Sequence, residues 1–272
     1  METCGNCRGN RPDLWFSSYG TNGRADDHDN FMGYDYNSWG MMVGAEYSNS
    51  MDMRLGFFYG YGKSDIDGVM SGQDSADHTL GMYGQWNSQF LGGYSLATGS
   101  LAFGENDGVN QIGDTSNANS FDSFSGSFLF EKGWTTQGGT LGVLNPYIAV
   151  QYLHYNTDDF GDVNTFAVQD NHYDSFRSIL GARLTKDFQR LCLTAGLAWH
   201  HEFCDENASF PATTANGSQT IFGNGTGRDW AEGTVGLQYT LTERLTLSGD
   251  YYLFLNGANT LHAGMGTLIL KF

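Results

Sequence analysis

Residues 260–272 read Thr-Leu-His-Ala-Gly-Met-Gly-Thr-Leu-Ile-Leu-Lys-Phe. In an extended chain successive side chains point to opposite sides. Leu268, Leu270 and Phe272 therefore share one face of a strand, and Thr267, Ile269 and Lys271 share the other. The strand is apolar on one face only and runs into an aromatic final residue.

The same period-2 alternation recurs along the whole sequence, and no helical 3.6-residue pattern of useful length competes with it. It predicts strands at about 13–20, 36–48, 52–63, 76–86, 90–104, 121–135, 144–155, 173–186, 190–204, 229–241, 244–255 and 260–272, with boundaries good to about 2–4 residues. The first and fifth alternate poorly, and a bulge or a displaced boundary is expected there. Lengths of the connections sort by parity. The odd-numbered ones are long (21–35, 64–75, 105–120, 156–172 and 205–228), apart from a short last one around 256–259. The even-numbered ones are tight turns at 49–51, 87–89, 187–189 and 242–244, with 136–143 a little longer. One end of such a structure carries nearly all the loops. Bacterial outer-membrane barrels do this, and they close by pairing the last strand with the first. The fold class expected is all-β: a transmembrane antiparallel up-and-down barrel of about twelve strands.

Face assignment agrees. Met53, Leu55, Phe57, Tyr59 and Tyr61 alternate with Arg54, Gly56, Phe58, Gly60 and Gly62; Leu193, Ala195, Leu197 and Trp199 alternate with Thr194, Gly196, His200 and Glu202. One face is greasy with aromatics toward its ends. The other holds Gly, Ser, Thr and charges of both signs, including Arg177, Arg183, Glu202, Glu232, Asp250 and Lys271, which are assigned to a wet pore lining with interior ion pairs. A soluble sandwich would invert the two faces, and alternation alone does not separate the cases. Loop parity and the aromatic terminus favour the barrel.

Bulk properties fit. The chain has 272 residues, 38 Gly, only 3 Pro and 15% aromatics, as strands and turns require. Mean hydropathy is −0.38, and no apolar run approaches the ~18–20 residues of a spanning helix. A membrane barrel gives the same signature, because only alternate residues meet lipid. The net charge of −17 argues against nucleic acid, which is held by basic surfaces. The acids cluster between strands, as in solvated loops. Asp65-Ile66-Asp67-Gly68 opens like a calcium loop but lacks its remaining ligands. Cys4 and Cys7 form a lone Cys-x-x-Cys, weak as a metal or redox signal. Cys192 and Cys204 lie too far apart on one strand to bond each other, and free thiols are the default expectation. Met1-Glu2-Thr3-Cys4 has neither a basic nor an apolar leader region, so the sequence is expected to begin inside a longer precursor or at a displaced start.

Chemistry is sparse. In His200-His201-Glu202 only His200 and Glu202 share a face, and polar lining outweighs catalysis as their reading. No phosphate loop or nucleophile elbow occurs, and no catalytic residue, metal or cofactor is expected. The sequons at Asn207 and Asn216 arise at chance frequency.

Several stretches, in order, resemble the autotransporter β-domain of type V secretion: Leu14-Trp15-Phe16-Ser17-Ser18-Tyr19-Gly20, Gly33-Tyr34-Asp35-Tyr36, Ser38-Trp39-Gly40-Met41-Met42-Val43-Gly44-Ala45-Glu46, Leu55-Gly56-Phe57-Phe58-Tyr59-Gly60-Tyr61, Leu144-Asn145-Pro146-Tyr147-Ile148-Ala149-Val150 and Phe176-Arg177-Ser178-Ile179-Leu180-Gly181-Ala182-Arg183. The resemblance spans about 14–272. It implies a twelve-stranded barrel in the bacterial outer membrane, taking part in export of an N-terminal passenger and lacking catalysis of its own. Its implied partners are outer-membrane lipid, the passenger and the barrel-insertion machinery, which reads Leu268, Leu270 and Phe272. Thr267 stands where that insertion pattern has glycine. Residues 1–12, with Gly5, Gly9 and Pro12, do not suit the pore-plugging helix of the family and are read as a linker stub before a barrel at 13–272. The competing readings are a stand-alone barrel acting as passive pore or adhesin, an outer-membrane hydrolase, and a soluble β-sandwich lectin.

Overall fold

The computed structural model describes residues 12–27, 33–48, 53–68, 71–87, 92–112, 115–137, 139–162, 166–168, 171–204, 209–214, 217–222, 227–257 and 259–272. Twelve long strands form one cylinder: β1 Pro12–Ala25, β2 Tyr34–Ser48, β3 Arg54–Gly68, β4 Ser71–Asn87, β5 Tyr94–Ile112, β6 Thr115–Gly133, β7 Val143–Thr157, β8 Asn171–Phe188, β9 Leu191–Glu202, β10 Asp229–Thr242, β11 Leu245–Leu255 and β12 Asn259–Leu270. Every neighbouring pair is antiparallel. The cylinder closes where β1 pairs with β12, from Leu14 opposite Leu270 to Ala25 opposite Asn259. Closure leaves no open edge, the condition for a sheet to sit in hydrocarbon, where unpaired N–H and C=O groups are costly.

The faces are inverted relative to a soluble protein. Phe57, Leu80, Met82, Leu180, Leu197 and Val235 are exposed on the outside, Leu197 at 76%. The fully buried side chains are polar and face inward, among them Ser17, Asn145, Glu202 and Thr246. The apolar inward cluster is small, formed by Tyr147, Ala149 and Ile179. A surface so apolar needs a covering, and on a closed cylinder that covering is lipid.

Inward aromatics pack over glycines of neighbouring strands. A Cβ added to Gly56 would lie 2.2 Å from Cζ of Tyr83, and one on Gly133 would lie 2.2 Å from Cζ of Tyr94. These glycines are strand residues whose missing side chain makes room for a ring.

Several sequence boundaries shift. Residues 64–75 and 105–120, expected as loops, are largely strand, because β3 to β6 run on beyond the apolar band. The long connections 156–172 and 205–228 contain short strands, Phe160–Asp162, Phe166–Val168, Ser209–Thr214 and Gly217–Phe222, which form a separate four-stranded sheet. The rings of Phe121 and Phe160 stack at 4.3 Å, tying that sheet to β6. The poor alternation of 90–104 reflects a boundary: Gly92 and Gly93 have positive φ and β5 begins at Tyr94. The register shift among the described pairings lies instead between Thr240 and Thr242. Cys192 is disulfide-bonded, against the free thiol expected, whereas Cys204 is free. Cys4, Cys7 and the rest of the 1–12 stub up to Arg11 lie outside the described residues, and Pro12 opens β1.

Candidate functional site

The inward wall of the barrel holds charged groups in hydrogen-bonded pairs. At the tight-turn end of β8, Arg183 donates from Nη1 and Nη2 to the Glu131 carboxylate at 2.6 and 2.9 Å. Tyr94 donates to the same carboxylate at 2.7 Å, and the guanidinium lies 3.8 Å from the centre of the Tyr147 ring. Glu131 on β6 and Arg183 on β8 flank β7, so the pair bridges one strand along the wall. Opposed charges hydrogen-bonded in this fork geometry hold both side chains in one orientation.

The loop end has a second centre. Glu202 is 0% exposed and accepts from Arg177 Nε at 2.8 Å, from the backbone N–H of Phe176 at 2.9 Å, from Cys204 N–H at 3.0 Å and from the Ser175 hydroxyl. These donors satisfy a carboxylate withdrawn from water. His200, also inward, shares a hydrogen bond of 2.7 Å with Glu232, whose other oxygen accepts from Thr234. Neighbouring His201 faces outward and bonds Asp229, so the His-His-Glu triplet is divided between faces.

The six residues assigned to the pore lining thus occupy different settings. Arg177 and Glu202 pair with each other; Arg183 and Glu232 pair with Glu131 and His200. Asp250 lies beside Gly236, where an added Cβ would meet its Oδ1 at 2.5 Å, and among the described residues no cation comes within ion-pair distance of it. Lys271 follows the last strand, with its backbone N–H donating to the Arg244 carbonyl at 2.8 Å, and its charge acts on Asp13. Leu268, Leu270 and Phe272 are exposed on the outer face, at 41%, 39% and 53%.

Sequence reasoning missed three features of the wall. Glu131 was not paired with Arg183, although its odd position on β6 places it inward. A second relay was also missed: Trp15 Nε1 donates to the Tyr83 hydroxyl at 3.0 Å, which donates to Glu46 at 3.0 Å. The third is at the seam, where the hydroxyls of Ser17 and Thr267 hydrogen-bond at 2.8 Å, both buried. Thr267 thereby joins the last strand to the first. Outside the membrane, the Asp65 carboxyl is pushed above its ordinary range by a hydrogen bond with Asp74 and by the charge of Asp67.

Comparison with known proteins accords with this architecture. The profile of the family described as Autotransporter beta-domain matches residues 14–252. Two extracellular serine proteases of Serratia marcescens are 24% and 23% identical over 204 and 202 residues, 70% of this chain in each case. The matched region is 19% of either protease, so the chain spans about a fifth of the curated relatives. Among solved structures, the translocator domain of autotransporter NalP from Neisseria meningitidis superposes with a TM-score of 0.82 at 12% identity, covering 97% of this chain and 90% of that one. The β-domain of the Bordetella autotransporter BrkA gives 0.76 at 15% identity, covering 96% and 99%. The transport unit of AIDA-I from Escherichia coli gives 0.67 at 14%, covering 99% and 93%. The protein is a bacterial outer-membrane barrel. By the profile that matches it from residue 14 to residue 252, the chain belongs to the autotransporter β-domain family.

Proposed function

We propose that this barrel is a translocator: the membrane anchor and conduit by which a passenger joined to its N-terminal side reaches the cell surface. The observation that carries the reading is the closed twelve-strand cylinder with a polar, charged inner wall and an apolar outer one. A wall of hydroxyls and paired charges lets an extended chain pass without sticking, whereas an apolar lining would hold its side chains. Arg177, Arg183, Glu202, Glu232, Asp250 and Lys271 serve as pore-lining residues under this reading. Leu268, Leu270 and Phe272 present the last strand to the insertion machinery, and outer-membrane lipid covers the outer face. Residues 13–272 act as the barrel and 1–12 as linker on its passenger side. The barrel itself carries no catalytic step.

The test joins an export signal and a reporter passenger to the N-terminal side of the barrel in a Gram-negative host. Surface exposure of the reporter is read by its cleavage with protease added to intact cells. The expected result is a cleavable surface reporter that is lost when residues 260–272 are removed. A barrel that folds in the outer membrane while its reporter stays in the periplasm would overturn the reading and favour a stand-alone pore or adhesin.

A further inference from the structure

Histidine is distributed unevenly over this barrel. Of seven histidines, His78, His154, His172, His201 and His262 fall on outward faces and His200 faces inward, while His28 lies outside the described residues. His78, His154, His201 and His262 sit eight to eleven residues above the tight-turn ends of their strands at Asn87, Val143, Leu191 and Leu270. A strand crosses hydrocarbon in about 9–11 residues, so these four mark the margin where lipid tails give way to headgroups. With tight turns on the periplasmic side, that margin belongs to the outer leaflet. The opposite outward margin, with Tyr47, Trp86 and Tyr239, holds none of the described histidines.

All four rings are held by the same atom. Nδ1 of His78 shares a hydrogen bond of 2.6 Å with the Tyr59 hydroxyl, and Nδ1 of His262 one of 2.6 Å with that of Tyr251. Nδ1 of His154 bonds Asp174 at 2.9 Å, and Nδ1 of His201 bonds Asp229 at 2.9 Å. What each residue retains for an external partner is Nε2. With a tyrosine hydroxyl donating to Nδ1, the ring proton of His78 and His262 sits on Nε2, a donor. With a carboxylate accepting from Nδ1–H, the Nδ1–H tautomer of His154 and His201 presents Nε2 as an acceptor. The two donor histidines each have a cation nearby on the adjacent strand, one outward position nearer the loops. Lys63 stands opposite Ala76, and Arg24 opposite Thr260. Acids also face these sites: Glu105, opposite Ala76 on β5, near His78, and Asp26 and Asp35 on Arg24.

We propose that this outer girdle is a binding belt for phosphorylated sugar headgroups of the outer-leaflet lipid. Phosphoryl oxygens take the Nε2–H of His78 with Lys63 and of His262 with Arg24, while sugar hydroxyls donate to Nε2 of His154 and His201. The belt is independent of passenger export and requires only the membrane orientation.

The experiment uses the full chain folded in detergent, with native mass spectrometry reading lipid retained per barrel. The probes are bisphosphorylated lipid A, its dephosphorylated form, and inorganic phosphate as competitor. Retention of the phosphorylated lipid is expected to exceed that of the dephosphorylated one by about tenfold. H78F/H262F, which keeps the rings aromatic, is expected to abolish that preference. H154F/H201F is expected to lower retention of both lipids alike. Folding is checked by heat-shifted gel mobility, with the H78F and H262F single variants replacing the double if it does not fold. Equal retention of both lipids by the wild type, or an undiminished preference in H78F/H262F, would overturn the proposal. So would displacement by inorganic phosphate at equal concentration, which marks a simple anion site.

Discussion

Two residue-level arrangements fix side chains in the lumen. Tyr83 sits over Gly56 with its hydroxyl fixed between Trp15 and Glu46, so the ring has no route away from an added methyl. Gly56→Ala is expected to cost about 1–3 kcal/mol, read as a lower temperature of heat-shifted gel mobility, and Gly56→Ala/Tyr83→Leu is expected to regain part of it. Arg183 and Glu131 pose a charge problem. Removing the arginine leaves a carboxylate with a side chain only 7% exposed, so Arg183→Ala is expected to cost about 3 kcal/mol. Replacing both partners with methionine should cost less than the single change, because no lone buried charge remains. Arg183 was legible as inward from alternation, but its partner was not. Arg183 and Glu131 are 52 residues apart and on strands separated by a third, and sequence periodicity gives faces without giving neighbours across a strand.

At the level of strands and hairpins, the twelve spans were readable and their outer extensions were not, for one physical reason. Alternation arises only where one face meets hydrocarbon. Beyond the band both faces of β3 and β4 are wet, and residues 64–68 and 71–75 lose the pattern and read as loop while remaining paired strand. That hairpin carries a pH-dependent element. Asp65, Asp67 and Asp74 share its outward face, and Asp65 titrates above its ordinary range because Asp74 hydrogen-bonds it and Asp67 repels its charge. A carboxyl whose folded pKa is raised takes up a proton on folding, so the hairpin gains stability as pH falls through that value and loses it as pH rises. Amide exchange at residues 64–68 and 71–75 is therefore expected to be better protected at about pH 4 than at neutrality, relative to intrinsic rates. Asp65→Asn should flatten the difference. The seam is also an element-level feature. Thr267→Val takes away the buried partner of the Ser17 hydroxyl and is expected to cost about 1 kcal/mol, read as faster unfolding. Ser17→Val with Thr267→Val leaves neither hydroxyl behind and is expected to cost less, the paired backbone ladder being preserved in both.

For the molecule as a whole, the lumen leans acidic. Asp13, Glu46, Asp77, Glu131, Glu202, Glu232 and Asp250 face inward against Arg54, Arg177, Arg183 and Lys271. Asp77 and Asp250 stand without a cation at ion-pair distance among the described residues. If the reconstituted barrel passes current in a planar bilayer, cations are expected to outweigh anions, and Asp77→Asn/Asp250→Asn should shift the reversal potential toward zero; anion preference would refute this. The closed ladder between β1 and β12 has a temporal corollary. Ser17 and Thr267 are 250 positions apart, so the staves cannot be hooped until the last strand has left the ribosome. Until then the first strand needs a stand-in neighbour, and closure must follow synthesis of every stave between them.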